Sequence, residues 1–142
     1  PQPMGSEHPN IVPYGSMYKT ADGVGVVLAV GTDKQFASLI QLLGLQLPED
    51  WTTNAQRVLQ RVQVNAALAE KISQWQADDF LPACHAAHIP AGRVNTMPEA
   101  MALAKTRDML LAGDGLKGVR SAVFSERSLQ IKAPPKLASG EN

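Results

Sequence analysis

The apolar run Val24-Gly-Val-Val-Leu-Ala-Val30 lies between an Asp22-Gly23 pair and the segment Thr32-Asp-Lys-Gln35. Each neighbour limits what the run can become. Asp-Gly supplies the positive-φ position of a tight turn, so the run folds back on Ser16 to Thr20 as the second strand of a hairpin. Thr-x-x-Gln is a capping box: the threonine oxygen accepts from an amide the helix cannot satisfy, and the glutamine reaches back to the threonine amide. The strand therefore ends within two residues of a helix start. With valine and leucine on both of its faces it is expected to be the central, covered strand of a sheet.

The box recurs as Thr53-x-x-Gln56 and Thr96-x-x-Glu99, predicting two further helix starts. In the first helix Phe36, Leu39, Ile40 and Leu43 form one apolar stripe, closed by Gly44. After the Leu47-Pro-Glu-Asp-Trp51 loop, the second is predicted to turn Val58, Val62, Leu68 and Ile72 inward, with a break near Val62. A third spans about Ala77 to Ala87. Its Pro82 lacks an amide donor and is tolerated in a first turn, which would move the start toward Asp79 or Phe80. His88-Ile-Pro90 ends it, Ala91 to Val94 forms a short strand, and the helix opened by Thr96 runs through about Ala104. Val119 to Phe124 and Ser128 to Lys132 alternate as a hairpin before the Ala133-Pro-Pro-Lys-Leu137 tail. Trp51 and Trp75 flank helices as cover for the core, and Met97, Met101 and Met109 are spaced for helix packing.

Residues 1–15 contain four prolines and two glycines, a composition that continues neither a ladder nor a helix. The expected class is α+β: a small antiparallel sheet with about four helices and extended N- and C-terminal arms. The expected division is an arm over 1–15, an α+β domain over 16–113, and a hairpin with a proline-containing tail over 114–142.

Thirteen basic residues cancel thirteen acidic ones in the 142, and the basic residues form no run, so neither nucleic acid nor an anionic membrane is an expected partner. The longest apolar run is far too short to span a bilayer. The single cysteine, Cys84, excludes an internal disulfide and fits a reducing, cytoplasmic compartment. Cys84 and His88 share a helix face with His85 beside them, but no third and fourth ligand stands at a zinc-like spacing. A buried thiol and a histidine at a helix end account for them, and no metal site is expected. Asp22 is accounted for by its turn. No glycine-rich phosphate loop, Gly-x-Ser-x-Gly elbow or Cys-x-x-Cys pair occurs.

Four segments in order, Gly5-Ser-Glu-His-Pro-Asn-Ile-Val-Pro-Tyr14, Tyr18-Lys-Thr-Ala-Asp-Gly23, Gly31-Thr-Asp-Lys-Gln-Phe36 and Ile89-Pro-Ala-Gly-Arg-Val-Asn-Thr96, resemble the smaller domain of the family III CoA-transferases. That group includes formyl-CoA transferase and α-methylacyl-CoA racemase. The resemblance extends from Gly5 to about Glu99. The stretch after Ala104 lacks the Asp-Pro usual in the family, and the tail Pro134-Pro-Lys-Leu-Ala-Ser-Gly140 departs from its pattern.

The resemblance implies a reaction that moves CoA between a thioester and a free carboxylate through an aspartyl anhydride and an aspartyl-CoA thioester. The aspartate belongs to a larger domain upstream of the matched part, so no catalytic residue is expected in this chain. The arm corresponds to a glycine-rich loop that shields the acyl-enzyme from water, which makes Gly5, His8, Pro9 and Tyr14 candidate substrate-side residues. Arg93 is a further candidate, either holding a carboxylate or CoA phosphate in fork geometry or pairing with Asp or Glu at a domain interface. No covalently bound cofactor is implied; a coenzyme A thioester is the implied substrate. The implied partners are a large CoA-transferase domain, acyl-CoA, and a second copy of the chain in a homodimer covering Ile11, Val12, Tyr14, Val123, Phe124 and Ile131. The alternative is a stand-alone, non-catalytic acyl-CoA-binding or interaction module derived from such a domain.

Overall fold

The computed structural model describes residues 5–103, 110–113 and 116–119, the last two stretches by their backbone. The chain forms two compact units, Pro1–Val94 and Asn95–Asn142.

In the first unit, β1 (Tyr14–Lys19), β2 (Gly25–Ala29) and β3 (Ala91–Arg93) make an antiparallel sheet in the order β1-β2-β3, so the apolar run is the central strand as expected. Gly23 takes φ +76° in the turn joining β1 to β2. Val26, Leu28 and Val30 are fully buried while Val27 and Ala29 are half-buried, so one face carries the core and, among the described residues, the other is only partly covered, short of the two-sided cover expected of this strand. Against the closed face pack Phe36, Leu39 and Ile40 of α1 (Asp33–Leu42), Val64, Leu68 and Ile72 of α3 (Arg61–Ile72), and Phe80 and Cys84 of α4 (Ala77–Ala86). Each large apolar side chain buried there contributes about 1.5–3 kcal/mol of transfer free energy. Trp51 and Trp75 pack on the rim of this core as expected.

Thr32 caps α1 and Thr53 caps α2 (Asn54–Leu59), both with complete boxes. The predicted second helix breaks two residues before Val62: the Gln60 amide donates to the carbonyls of both Gln56 and Arg57, closing α2, and α3 begins at Arg61. The shift turns Val64 inward and leaves Val62 78% exposed, correcting its inward assignment. Helix α4 starts at Ala77, not Asp79 or Phe80, so Pro82 lies beyond the first turn. Pro82 and Asp78 are exposed, and solvent can satisfy the Asp78 carbonyl that loses its helical donor. The helix start is fixed from elsewhere in the chain: the Ala77 amide donates to the Asp22 carboxylate at 3.2 Å. Asp22 thus has a second role beyond its turn. The Thr20 hydroxyl that donates to it, with the Ala77 amide and Arg93 adding to the effect, holds its carboxyl below the usual range.

In the second unit Thr96 caps α5 (Met97–Ala102) with a complete box, and the helix ends two residues earlier than expected. Met97 and Met101 are 72% and 38% exposed, against the packing role read from their spacing. β4 (Leu110–Gly113) pairs antiparallel with β5 (Leu116–Val119), a hairpin the sequence reading did not anticipate. Met109 and the hairpin expected over Val119 to Lys132 lie outside the described residues, apart from Val119 itself. None of the helices described is long and apolar enough to cross a membrane.

Candidate functional site

The arm is irregular but tightly held. Its ends are tied by bonds from the Ser6 hydroxyl to the Gly15 carbonyl (2.7 Å) and from the His8 amide to the Tyr14 carbonyl (2.8 Å). Gly15 has φ +75°, and a Cβ there would collide with the Ser6 carbonyl oxygen, so closure of the loop requires glycine. Gly5 also takes positive φ, and the Val12–Pro13 peptide is cis.

Four polar side chains hold the arm from outside: Asn54, Arg57, Arg61 and Asn65, spaced three, four and four apart across α2 and α3. Asn54 accepts from the Val12 amide at 3.1 Å and donates to the Asn10 carbonyl at 2.8 Å. Arg61 donates to the carbonyls of His8 (3.0 Å) and Pro9 (2.7 Å) and pairs with Glu7 at 3.3 Å. Asn65 donates to the same Glu7 carboxylate at 2.8 Å and accepts from the Tyr18 hydroxyl at 2.8 Å. Burial pushes the Tyr18 phenol well above its ordinary range.

Arg57 lies deepest, at 1% exposure. It donates to the carbonyls of Val12 (2.9 Å), Trp51 (2.9 Å) and Thr52 (3.2 Å), pairs with Asp33 at 2.7 Å, and sits 4.3 Å above the Phe36 ring. Four oxygen acceptors and an aromatic face offset the large cost of desolvating the charge. With Val12 and Pro13 buried in their own unit, this part of the arm needs no second chain for cover. The dimer contact expected at Val12 is met from within, while Val123, Phe124 and Ile131 lie outside the described residues.

Of the predicted site residues, Gly5, His8, Pro9 and Tyr14 share this loop. The imidazole of His8 meets the Tyr14 ring edge-on, centroids 5.8 Å apart, and its Nδ1 accepts from the Asn10 amide at 3.1 Å. Arg93 is not brought to them. Tyr14 pairs with Ala29 on one side of β2 and Arg93 with Val26 on the other, placing them about 10 Å apart both along and across the sheet. The Arg93 guanidinium pairs with Asp78 of α4 at 2.6 Å, an acidic partner within its own unit and not one across a domain interface.

Elsewhere, a groove of about 370 Å³ lined by Thr32, Lys34, Gln35, Ser38, Ala87 and His88 separates α1 from the end of α4 and includes none of the predicted residues. His88 there has φ +56°, the backbone state of a helix-ending glycine. Cys84 is fully buried, which pushes its thiol up to about 12. Among the described residues no three His, Cys, Asp or Glu side chains are placed to hold a metal ion. Asp22, Asp33, Asp50 and Asp78 are each engaged by a hydrogen bond or ion pair with Ala77, Arg57, Gln60 and Arg93 respectively.

The apolar periodicity that revealed the helices says nothing of the face that grips the arm. The spacing of Asn54, Arg57, Arg61 and Asn65 was the available signal.

A helix-backed, three-stranded antiparallel sheet with a strapped N-terminal loop defines a small α+β domain. Residues 1–138 match the CoA-transferase family III model, and the chain belongs to that family. It is 36% identical over 94% of its length to a succinate–glutarate CoA-transferase of Agrobacterium fabrum, of which it spans 36%. An acyl-CoA transferase of Fusarium pseudograminearum is 32% identical over 75% of the chain, which spans 24% of that protein. The crystal structure of a CAIB/BAIF family protein from Brucella suis superposes with a TM-score of 0.77 at 33% identity, over 93% of this chain and 35% of that one. A Mycobacterium tuberculosis structure with TM-score 0.70 and 17% identity, over 78% of this chain and 32% of that one, shares the fold.

Proposed function

We propose that this chain is the small-domain part of a family III CoA-transferase and that its arm, Gly5 to Tyr14, forms a wall of the acyl site. The observation that carries the reading is the way the arm is held: an irregular segment within the family match is fixed by four side chains of two consecutive helices, α2 and α3. A wall fixed in advance keeps water from a reactive thioester without an ordering cost at each turnover. Coenzyme A thioesters and carboxylic acids are the substrate class, and dicarboxylates fit the named activity of the Agrobacterium relative. The nucleophilic carboxylate is supplied by a large domain, in a reducing cytoplasmic setting. In this reading a homodimer contact uses the open sheet face, where Tyr14, Met17 and Val94 are 40%, 60% and 44% exposed.

A photoreactive acyl-CoA analogue should label residues between Gly5 and Tyr14, and the chain alone should neither transfer CoA nor carry a covalent adduct on Asp22, Asp78 or Asp114. Labelling confined to the groove of Lys34 and His88 would refute the wall. Labelling of the arm without transfer, even after a large CoA-transferase domain is supplied, would favour a stand-alone binding module.

A further inference from the structure

We propose that His8 is a fixed hydrogen-bond donor for an acyl oxygen, offered through Nε2–H, and that Arg61 is the positioning residue that holds it; this rests on the arm being a wall of the acyl site. The proton's place follows from one bond. Because the Asn10 amide donates to Nδ1, the neutral imidazole carries its hydrogen on Nε2. Among the described residues Nε2 has no hydrogen-bond partner.

The ring's orientation is set on several sides. Its plane stands at 76° to the Tyr14 ring, its own amide is tied to the Tyr14 carbonyl, and its own carbonyl and that of Pro9 are both held by Arg61. A half-buried donor with a single tautomer and a fixed ring matches an oxygen acceptor. Two ligands of the proposed reaction bear such an oxygen: the carbonyl of a thioester and the carboxylate of a free acid. The shared group is the acyl oxygen.

The test is an NMR titration of the uniformly 15N-labelled chain, using acetyl-CoA and succinate in separate arms. Long-range 15N correlations should show His8 as the Nε2–H tautomer, and its Nε2 resonance should move saturably with ligand. Movement with acetyl-CoA alone identifies the thioester carbonyl, with succinate alone the carboxylate, and with both the common group. His8→Phe keeps a ring against Tyr14 without a donor and should weaken binding about ten-fold, while His8→Gln, which places an amide N–H near Nε2, should restore most of it. Arg61→Gln should blur the tautomer preference and weaken binding to the same degree. Arg61→Lys serves the same purpose if Arg61→Gln does not fold.

Arm amides that shift with ligand while Nε2 stays still would overturn the donor assignment and leave the wall standing. No arm shift with either ligand would overturn both. Arg61 variants with unchanged tautomer and affinity would remove Arg61 from the proposal.

Discussion

The arm and the sheet-helix core are both well ordered, yet different forces hold them. In the core, Leu28, Phe36, Leu68 and Phe80 are removed from water against one another, and the order follows from non-directional burial. In the arm, apart from Val12 and Pro13, order comes from directed bonds between side chains of α2 and α3 and the loop's own backbone. Burial tolerates repacking. Directed bonds do not, because each carbonyl left unpaired costs its desolvation. A segment at an acyl site benefits from the second kind of order, since polar groups stay available at its surface.

The contrast can be broken from either side. Phe80→Ala should have the largest effect, a loss of about 4 kcal/mol with the whole first unit melting together, measured by denaturant unfolding. Arg57→Met keeps the apolar stem and removes the donors to Val12, Trp51 and Thr52, and should cost about 3 kcal/mol. Its signature is selective: the arm should become protease-sensitive before the core unfolds. Equal sensitivity of arm and core in that variant would show that the arm has no separate support.

What the sequence disclosed follows the same divide. The three threonine boxes, the Asp22-Gly23 turn and the apolar strand are local codes, complete within four or five residues, and the structure contains all of them. Val62 went wrong although a break was expected near it: Gln60 closes α2 with amide bonds to both Gln56 and Arg57, and the helix that restarts at Arg61 turns Val64 inward in its place. Pro82 went wrong because it and Asp78 lie on an exposed part of α4, where solvent can replace the lost bond at little cost. Asp22 was only half legible: its turn is local, but its cap on α4 spans 55 residues. The arm residues Gly5, His8, Pro9 and Tyr14 were found through resemblance, whereas Arg57 and Arg61 were missed because an arginine on an amphipathic helix ordinarily lies in water.

Smaller effects sharpen the picture. Thr53→Ala removes the box that starts α2 and should cost about 1 kcal/mol, read as a lowered denaturation midpoint. Asp22→Asn probes the cap that crosses from turn to helix. Because the folded carboxyl is held below its unfolded value, the charge stabilises the fold above the ordinary carboxylate range, and that contribution is lost as pH falls through the folded value. Wild type should therefore melt higher than Asp22→Asn at neutral pH, and the two curves should converge in acid. A gap that persists unchanged into acid would mean that the carboxylate charge is not the source.

Native-state hydrogen exchange tests most directly whether the arm is a fixed wall. The amides of His8, Asn10 and Val12, bonded to Tyr14, His8 and Asn54, should exchange on the timescale of the β2 amides in the wild type, and Arg61→Gln should accelerate those of His8 and Asn10 selectively. Exchange of the three at the rate of an unstructured loop, indifferent to Arg61, would contradict the account.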